Sequence, residues 1–332
     1  MSYLALTDDE LALLRFTCDL FFVDESPLFS FEAAQKEPKD YAAAYHALVE
    51  RGVIDPHGFR ITDDSLNRIA PVTECDARVT HVITQKSGDV SQRDHWLLDE
   101  IAVTYEYAGG RHLFGTDHDH EELVESFARH VLPRRAGGDR IDVVVTALEF
   151  LALGVLLEHV RGSKTRDTAL ADVARIFRKP PPEDQRPATV LLPPGRRPAT
   201  RARSGAVVDD PAWDDALRSL LEKGALRLQG GALWMHPSLV DLATHELGER
   251  HTFVRTDFGE DDWFVRETTL VPVEGSLFFI GPRRGGIAVE ELDGDRLKRA
   301  LVEATGPLAR DRSVPAPQKL SDLLVRQDPV KA

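Results

Sequence analysis

The chain has 332 residues, 42% hydrophobic and 29% charged, which is the composition of an ordinary globular protein. Its formal net charge of −14 disfavours nucleic acid as a partner, because a phosphate backbone would be repelled. Its two cysteines are too few for a disulfide framework or a thiolate metal cage. No stretch reads as a membrane span or as a signal peptide, so we expect a cytoplasmic protein without membrane association.

The chain begins with elements typical of a small helical unit. Thr7 and Glu10 have the spacing of a capping box, which predicts the start of a first helix. A second helix is predicted over residues 41–51, with Gly52 placed to end it. A third helix is predicted from residue 62 or 63 to about residue 70.

An antiparallel meander is predicted next. Strands are expected at residues 77–84, 96–107 and 111–114, with Gly109-Gly110 as a hairpin turn. An acidic loop then leads into a helix over residues 121–132.

A strand–helix joint and a proline-rich segment end this part of the chain. Residues 141–145 are β-like, and Thr146 and Glu149 again have capping-box spacing. Residues 178–210 are rich in proline and arginine and lack periodicity. They are either a solvated linker or an arm that docks on an acidic partner or on the protein's own acidic face.

A second set of helices and strands follows this segment. Helices are predicted at residues 213–223, 237–247 and 295–304, and strands at residues 251–256, 263–273, 276–280 and 287–290. A weak counterpart of the earlier strand–helix joint is expected near Leu320.

The two sets of elements repeat with a spacing of about 172 residues. The run RVTHVIT at residues 78–84 reads again as RHTFVRT at residues 250–256, and Gly52 has its counterpart in Gly224. The repeat predicts an α+β fold with pseudo-twofold symmetry. Each half would contain winged-helix-like helices, an antiparallel β-meander and flanking helices. We expect a first half at residues 1–165, a helix and linker at 166–210 and a second half at 211–332.

Three features resemble reaction chemistry without completing it. The cluster DHDHEE at residues 117–122 carries metal-binding side chains, but an acidic first helical turn capped by Asp119 or a neighbour is the simpler interpretation. His245 and His251 are six residues apart and fail the spacing of a zincin motif. Cys75 has no recognisable base and is expected to be a packed thiol. We predict no enzymatic activity, no metal and no cofactor, with a metal-dependent enzyme at residues 117–122 as the less favoured hypothesis.

Helices followed by a β-hairpin also suggest a duplicated winged-helix regulator that binds nucleic acid. The two candidate recognition helices are residues 62–70 and 237–247. The first offers Asn67 and Arg68 beside two aspartates, and the second has no lysine or arginine. A helix that reads a DNA groove normally presents several basic or amide groups, so this alternative is not favoured.

Several patterns resemble those of the EspG family, the cytosolic chaperones of type VII secretion. They are the run Leu48-Val49-Glu50-Arg51-Gly52, the helix end Leu66-Asn67-Arg68-Ile69-Ala70-Pro71 and the strand–helix joint at residues 141–149. The resemblance implies a pseudo-twofold α+β body with a central, largely antiparallel sheet. It also implies a non-catalytic role, in which the protein keeps an aggregation-prone helical client soluble before export. The family binds clients through a sheet surface and nearby loops, and no individual residue can be transferred.

We therefore predict a non-enzymatic adaptor that holds a helical protein client. The expected contact surface is the second meander with its loop, and about half of its strand residues must face the core because strand side chains alternate. The predicted partner-binding residues are Trp263, Leu270, Phe278, Phe279, Arg283 and Arg284.

Overall fold

The computed structural model describes residues 3–18, 20–32, 41–57, 60–116, 118–131, 140–163, 167–169, 210–245, 249–259 and 263–307. Most of the proline- and arginine-rich segment and the helix expected near Leu320 lie outside the described residues. The elements up to the fourth helix are β1 (Leu4–Leu6), α1 (Asp8–Thr17), α2 (Ala42–Glu50), β2 (Ile54–Asp55), β3 (Arg60–Ile61), α3 (Asp63–Thr73), β4 (Ala77–Thr84), β5 (Val90–Leu98), β6 (Ile101–Ala108), β7 (Arg111–Phe114), β8 (His118–Asp119) and α4 (His120–His130).

A second series of elements begins at residue 142. It comprises β9 (Asp142–Val145), α5 (Ala147–Ser163), β10 (Asp167–Ala169), α6 (Asp210–Glu222), β11 (Leu226–Gln229), β12 (Ala232–Met235), α7 (Pro237–Thr244), β13 (Arg250–Phe258), β14 (Trp263–Val273), β15 (Ser276–Arg283), β16 (Gly286–Leu292) and α8 (Gly294–Thr305).

One antiparallel sheet of eleven strands organises the described residues. Its order is β1-β7-β6-β5-β4-β13-β14-β15-β16-β9, and β8 pairs with β6. β4 and β13 are at the centre of the sheet, and β1 and β9 are its two edges. Outward from the centre, the strands follow in chain order on both sides: β5, β6 and β7 on one side, and β14, β15 and β16 on the other. Helices combined with an antiparallel sheet confirm the prediction of an α+β fold.

The central pair of strands has a register that matches the sequence repeat. His81 in β4 lies directly opposite Phe253 in β13. Their positions differ by 253 − 81 = 172, which is the spacing of the repeat. The antiparallel pairing is therefore centred on a residue and its own counterpart.

The two faces of the sheet are covered differently. Face A is the side on which Val79, Phe253 and Phe279 point, and it is buried against α4 and α8 in a single apolar cluster. α8 is tied to this face at its C-terminal end, where Arg255 and Arg266 donate hydrogen bonds to the carbonyls of Thr305 and Gly306.

Face B carries two separate apolar clusters, one at each end. The N-terminal lobe contains α1, α2 and α3 and packs on β5, β6 and β7 through residues such as Trp96 and Val103. The C-terminal lobe contains α5, α6 and α7 and packs on β9, β15 and β16 through residues such as Phe278 and Ile287. Each lobe also contains a helix–hairpin–helix arrangement, with β2–β3 between α2 and α3 and β11–β12 between α6 and α7.

Both predicted capping boxes are confirmed, and they occupy matching places. Thr7 donates its backbone N–H to Glu10 at 2.8 Å, and Glu10 donates its own to the Thr7 hydroxyl at 3.3 Å. Thr146 and Glu149 make the same two bonds at 2.7 and 3.3 Å. One box joins edge strand β1 to α1 and the other joins edge strand β9 to α5.

Two features differ from the expectations. The single strand predicted at residues 96–107 is wrong, because the chain turns at Asp99, which has a φ of 52°, and forms β5 and β6. β9 and α5 were assigned to the first half of the chain, yet β9 pairs with β16 and α5 packs against α6 and α7. Their packing partners belong to the second series of elements.

Thr146→Ala is expected to lower the free energy of unfolding by about 1 kcal/mol, because the Glu149 backbone N–H at the start of α5 loses its acceptor, the Thr146 hydroxyl. Urea denaturation followed by circular dichroism measures the difference. Thr17→Ala is the matched control, since the exposed Thr17 hydroxyl donates to the Leu13 carbonyl within its own helix and otherwise lies 3.6 Å from the adjacent Cys18 sulfur. Equal losses in the two variants would contradict the assigned capping role.

Burial of His95 on face A should make stability depend on pH. Burial and the nearby Arg93 guanidinium lower the His95 pKa to about 4, and its ring meets Phe127 edge-on at 5.3 Å. Between that value and the unfolded pKa of about 6.5, only the unfolded chain binds the proton, so stability falls as pH drops through this window. We expect His95 to account for at most about 3 kcal/mol of the loss.

His95→Leu tests this, with denaturation measured at several pH values between neutrality and the His95 pKa. The variant is expected to lose stability less steeply on acidification than the natural chain. His57→Leu, at an exposed position, is the control and should leave the pH dependence unchanged. An unaltered slope in His95→Leu would contradict the account.

A candidate protein-binding surface

A strip of β-branched and polar side chains separates the two lobes on face B. Alternate residues of β4, β13 and β14 form it, and we call it the threonine strip. Its members are Thr80, Val82, Thr84, Thr252, Val254, Thr256, Val265, Glu267 and Thr269. Val82, Val254 and Val265 belong to none of the three apolar clusters of the described residues.

The register of the central strands builds this strip in rows. Thr252 lies opposite Val82 on one side and opposite Thr269 on the other, and Val254 lies between Thr80 and Glu267. β-branched side chains suit the pleated backbone, and side chains directly opposite each other are in contact. The strip therefore presents methyl and hydroxyl groups together, and it does not continue either core.

Hydrogen bonds within the strip hold its hydroxyl groups. Thr80 donates to the Asp94 carboxylate at 2.5 Å, and the hydroxyls of Thr252 and Thr269 are 3.1 Å apart. All five threonines of the strip are buried, as are Val254 and Glu267, whereas Val82 and Val265 are half-buried. A partner that contacts the strip can cover its methyl groups without having to satisfy every hydroxyl.

An aromatic pair lies at one end of the strip. Trp263 is 62% exposed and meets Phe258 edge-on, with ring centroids 5.5 Å apart. Phe258 in turn packs against the N-terminal lobe. An exposed tryptophan on a rigid strand offers a partner a large contact area at little cost in side-chain entropy.

The other apolar residues predicted to bind a partner lie in the core. Leu270 and Phe279 are buried on face A, within the cluster formed with α4 and α8. Phe278 is buried on face B within the C-terminal lobe. Of the four predicted apolar residues, only Trp263 therefore presents its side chain to solvent.

The two predicted arginines have different environments. Arg283 is half-buried, its guanidinium lies 3.0 Å from Glu303 and 2.9 Å from Glu290, and it stacks over the Phe279 ring at 5.2 Å. The hydrogen bonds to Glu303 raise the pKa of Arg283. Arg284 is exposed at the tip of the β15–β16 hairpin. Arg283 thus joins the sheet to α8, and Arg284 is the arginine open to a partner.

Sequence reasoning missed the threonine strip, although a signal for it was present. Thr80 and Thr84 recur at the equivalent positions as Thr252 and Thr256. A pair of threonines four residues apart in both copies of a strand indicates one polar face, and both pairs face the same side of the sheet.

The two candidate recognition helices pack against other elements of the protein. α3 packs on β5 and β6, and Arg68 lies 3.7 Å from Asp64. α7 packs on α5, with Ser238, Leu239, Val240, Leu242 and Ala243 buried. Neither helix presents a cluster of basic groups, which is what a DNA backbone requires.

The residues that resembled a metal site are used to start α4. Asp119 is the N-cap and accepts a hydrogen bond from the Glu122 backbone N–H at 2.8 Å, as the sequence predicted. His118 contacts Glu122 at 3.4 Å, and His120 contacts the Thr305 hydroxyl at 3.0 Å. Asp117 lies outside the described residues. Within those residues, no group of three or more histidine, cysteine, aspartate or glutamate side chains is arranged to hold a metal ion.

The remaining candidates for reaction chemistry are Cys75, which is unreactive, and His245 and His251, which lie in different elements. Burial and the Glu25 carboxylate raise the pKa of the Cys75 thiol to about 12, so it stays protonated. His245 lies at the end of α7 and contacts Glu274 at 3.2 Å, while His251 is stacked on His81 on face A.

Among the helices of the described residues, none has both the length and the apolar character needed to span a membrane.

Comparison with known proteins gives a likeness to a solved structure. No protein-family model and no curated protein matches the chain. The structure is similar to that of the Mycobacterium tuberculosis type VII secretion system chaperone EspG5, solved in complex with the PE25–PPE41 dimer. The similarity covers 91% of this chain and 95% of that one, with 10% identity and a TM-score of 0.43. EspG is also the family that the sequence patterns of this chain resemble.

Arg283→Ala is expected to lower the free energy of unfolding by about 1–2 kcal/mol, because Glu290 and Glu303 lose their shared cation. Arg284→Ala is the adjacent control and should change stability by no more than about 0.5 kcal/mol. Chemical denaturation of both variants measures the difference. A similar small effect in both would contradict a structural role for Arg283.

Proposed function

We propose that the protein is a non-enzymatic, chaperone-like adaptor that holds a protein client on the threonine strip and on Trp263. The observation that carries the proposal is the position of the strip. It lies between two lobes with separate cores, on the face of the sheet opposite α4 and α8.

The chemistry of the strip suits a protein surface better than a small ligand. Interfaces combine a desolvated apolar centre with a polar rim, and aromatic residues supply much of the binding energy. Val82 and Val265 provide apolar contacts, Trp263 provides an anchor, and the exposed Arg284 provides a peripheral charge. The flanking lobes would limit how far a partner slides along the sheet.

We infer the class of client from the sequence resemblance to the EspG family. A helical protein destined for secretion fits that resemblance, and the listed EspG5 structure was itself solved with a protein dimer bound. The tip of a helical client would present apolar side chains that the strip and Trp263 cover. We place this activity in the cytoplasm, since the chain has only two cysteines, too few for the disulfide framework of many small secreted proteins.

We also propose that the chain contains two copies of one structural unit, from β1 to α4 and from β9 to α8. The palindromic strand order, the matched capping boxes and the His81–Phe253 register support this division. It places the boundary between α4 and β9, instead of within the segment 166–210 expected from the sequence. The threonine strip would then lie on the axis that relates the two copies.

The proposal is tested by affinity purification of the chain from its own host, followed by mass spectrometry and quantification of what co-elutes. We expect one helical protein, stoichiometric and retained at high salt, because burial of apolar surface is little affected by screening. Val82→Lys is expected to reduce its recovery at least about tenfold by placing a charge inside the contact. Trp263→Ala should reduce recovery as well.

Val302→Lys is the matched control. Val302 is 49% exposed on α8, which covers the opposite face of the sheet, so the same substitution there should leave recovery unchanged. Recovery of DNA, or a partner lost equally from both lysine variants, would contradict the proposed surface.

A further inference from the structure

One stretch of β14 has a strand partner on only one side. β13 pairs with the part of β14 that runs from Trp263 to Leu270. β15 pairs with β14 only from Thr269 to Val273. In the described part of the chain, the edge of β14 at Trp263 and Val265 therefore faces no strand.

Pro282 explains why the second ladder stops. The turn at residues 274 and 275 joins β14 to β15, so the Val273–Ser276 pair exchanges backbone hydrogen bonds, as do the pairs Val271–Phe278 and Thr269–Ile280. The next pair of this kind would join Glu267 to residue 282. Proline has no N–H to donate, so β15 leaves β14 at this point and continues beside β16.

The same alternation fixes the direction of the unpaired backbone groups. Residues 264, 266 and 268 of β14 direct their N–H and C=O toward β13, so Trp263 and Val265 direct theirs toward the open edge. Their side chains point to face B, where Val265 belongs to the threonine strip and Trp263 lies at its end. At this edge, the backbone N–H and C=O groups of two residues face no strand among the described residues. The side chains of the same residues are an exposed tryptophan and a half-buried valine.

The equivalent edge in the other half is protected. β6 pairs with β5 only from His95 onward, so residues 90–94 also lack a second strand among the described residues. That segment reads Val-Ser-Gln-Arg-Asp and is largely exposed. Charged and polar side chains are the usual protection of an edge strand, whereas β14 presents Trp263 and Phe264 there.

The position of the open edge favours a single extended segment over a second copy of the chain. The edge is not at the periphery of the sheet, because β15, β16 and β9 continue beyond it. If two copies paired through this edge, each would have to insert its own β14 into the gap between β14 and β15 of the other copy. One extended chain needs only the width of a strand, about 5 Å.

We propose that the open edge of β14 at Trp263 and Val265 is a strand-addition site for an extended segment of the client. The segment pairs its backbone with these two residues and presents apolar side chains toward face B, where they contact Trp263 and Val265. This inference rests on the proposed function and adds a mode of recognition: the client is held partly through its backbone.

The test uses fluorescence anisotropy with a labelled peptide, Lys-Val-Thr-Val-Thr-Val-Lys, and the same peptide N-methylated at every valine and threonine. The first peptide is expected to bind with a Kd of about 1 mM or tighter, and the methylated one not to bind because it has lost its donors. Val265→Pro removes an N–H that faces the open edge and should weaken binding at least about tenfold.

Gln92→Pro is the matched control, since Gln92 directs its backbone toward the protected edge of β5, and it should bind the peptide as the natural chain does. Circular dichroism establishes that both proline variants are folded. Equal binding of both peptides, no binding of either, or binding insensitive to Val265→Pro overturns the inference. A dimer of the free chain in sedimentation velocity that Val265→Pro abolishes would also overturn it, in favour of a second copy. If Val82→Lys loses the client but the natural chain does not bind the peptide, the strand-addition inference is rejected and the proposed function is not.

Discussion

The pairing of β4 with β13 is the constraint on which the rest of the structure depends. It joins two half-sheets into one, and its register decides which residues of both strands face α4 and α8. A slip of one residue would turn every side chain of a strand to the opposite face. Phe253 would then leave the cluster that it shares with Val79 and Phe127, and threonines would replace it. The apolar packing on face A therefore determines the polar character of the strip on face B.

The same constraint explains why the centre of face B belongs to neither lobe core. Each lobe builds its own cluster against the outer strands, so neither needs the central strands to complete a core. Strands without lobe helices above them can carry threonine and valine without loss of stability. The centre of face B is therefore set apart from both lobe cores and has an aromatic pair at one end.

The sequence was informative where local chemistry decides the structure. Capping boxes at Thr7 and Thr146 and the glycine turn at residues 109–110 require only neighbouring residues, and the structure contains each of them. The turn at Asp99 was missed because an aspartate with positive φ leaves no glycine signal. β9 and α5 were assigned to the first half because a weak counterpart of them was expected near Leu320, at the end of the second half, although the elements that they contact come later in the sequence. Long-range pairing cannot be deduced from adjacent residues.

The candidate site was only partly predictable for a related reason. Leu270, Phe278 and Phe279 have the composition of a binding surface, but alternation alone does not say which face of a sheet helices cover. Trp263 was predicted with them as part of the second meander, and it is exposed. The open edge beside it depends on the register that brings Pro282 opposite Glu267, which requires the pairing of three strands.

Site-specific photocrosslinking in the host tests the central claim most directly. A photoreactive amino acid is placed at position 82 in the threonine strip, and in a separate variant at position 302 on α8. The account predicts a crosslink from position 82 to one protein of defined mass and none from position 302. Crosslinks of equal yield from both positions, or from position 302 alone, would contradict a client-binding surface on the threonine strip.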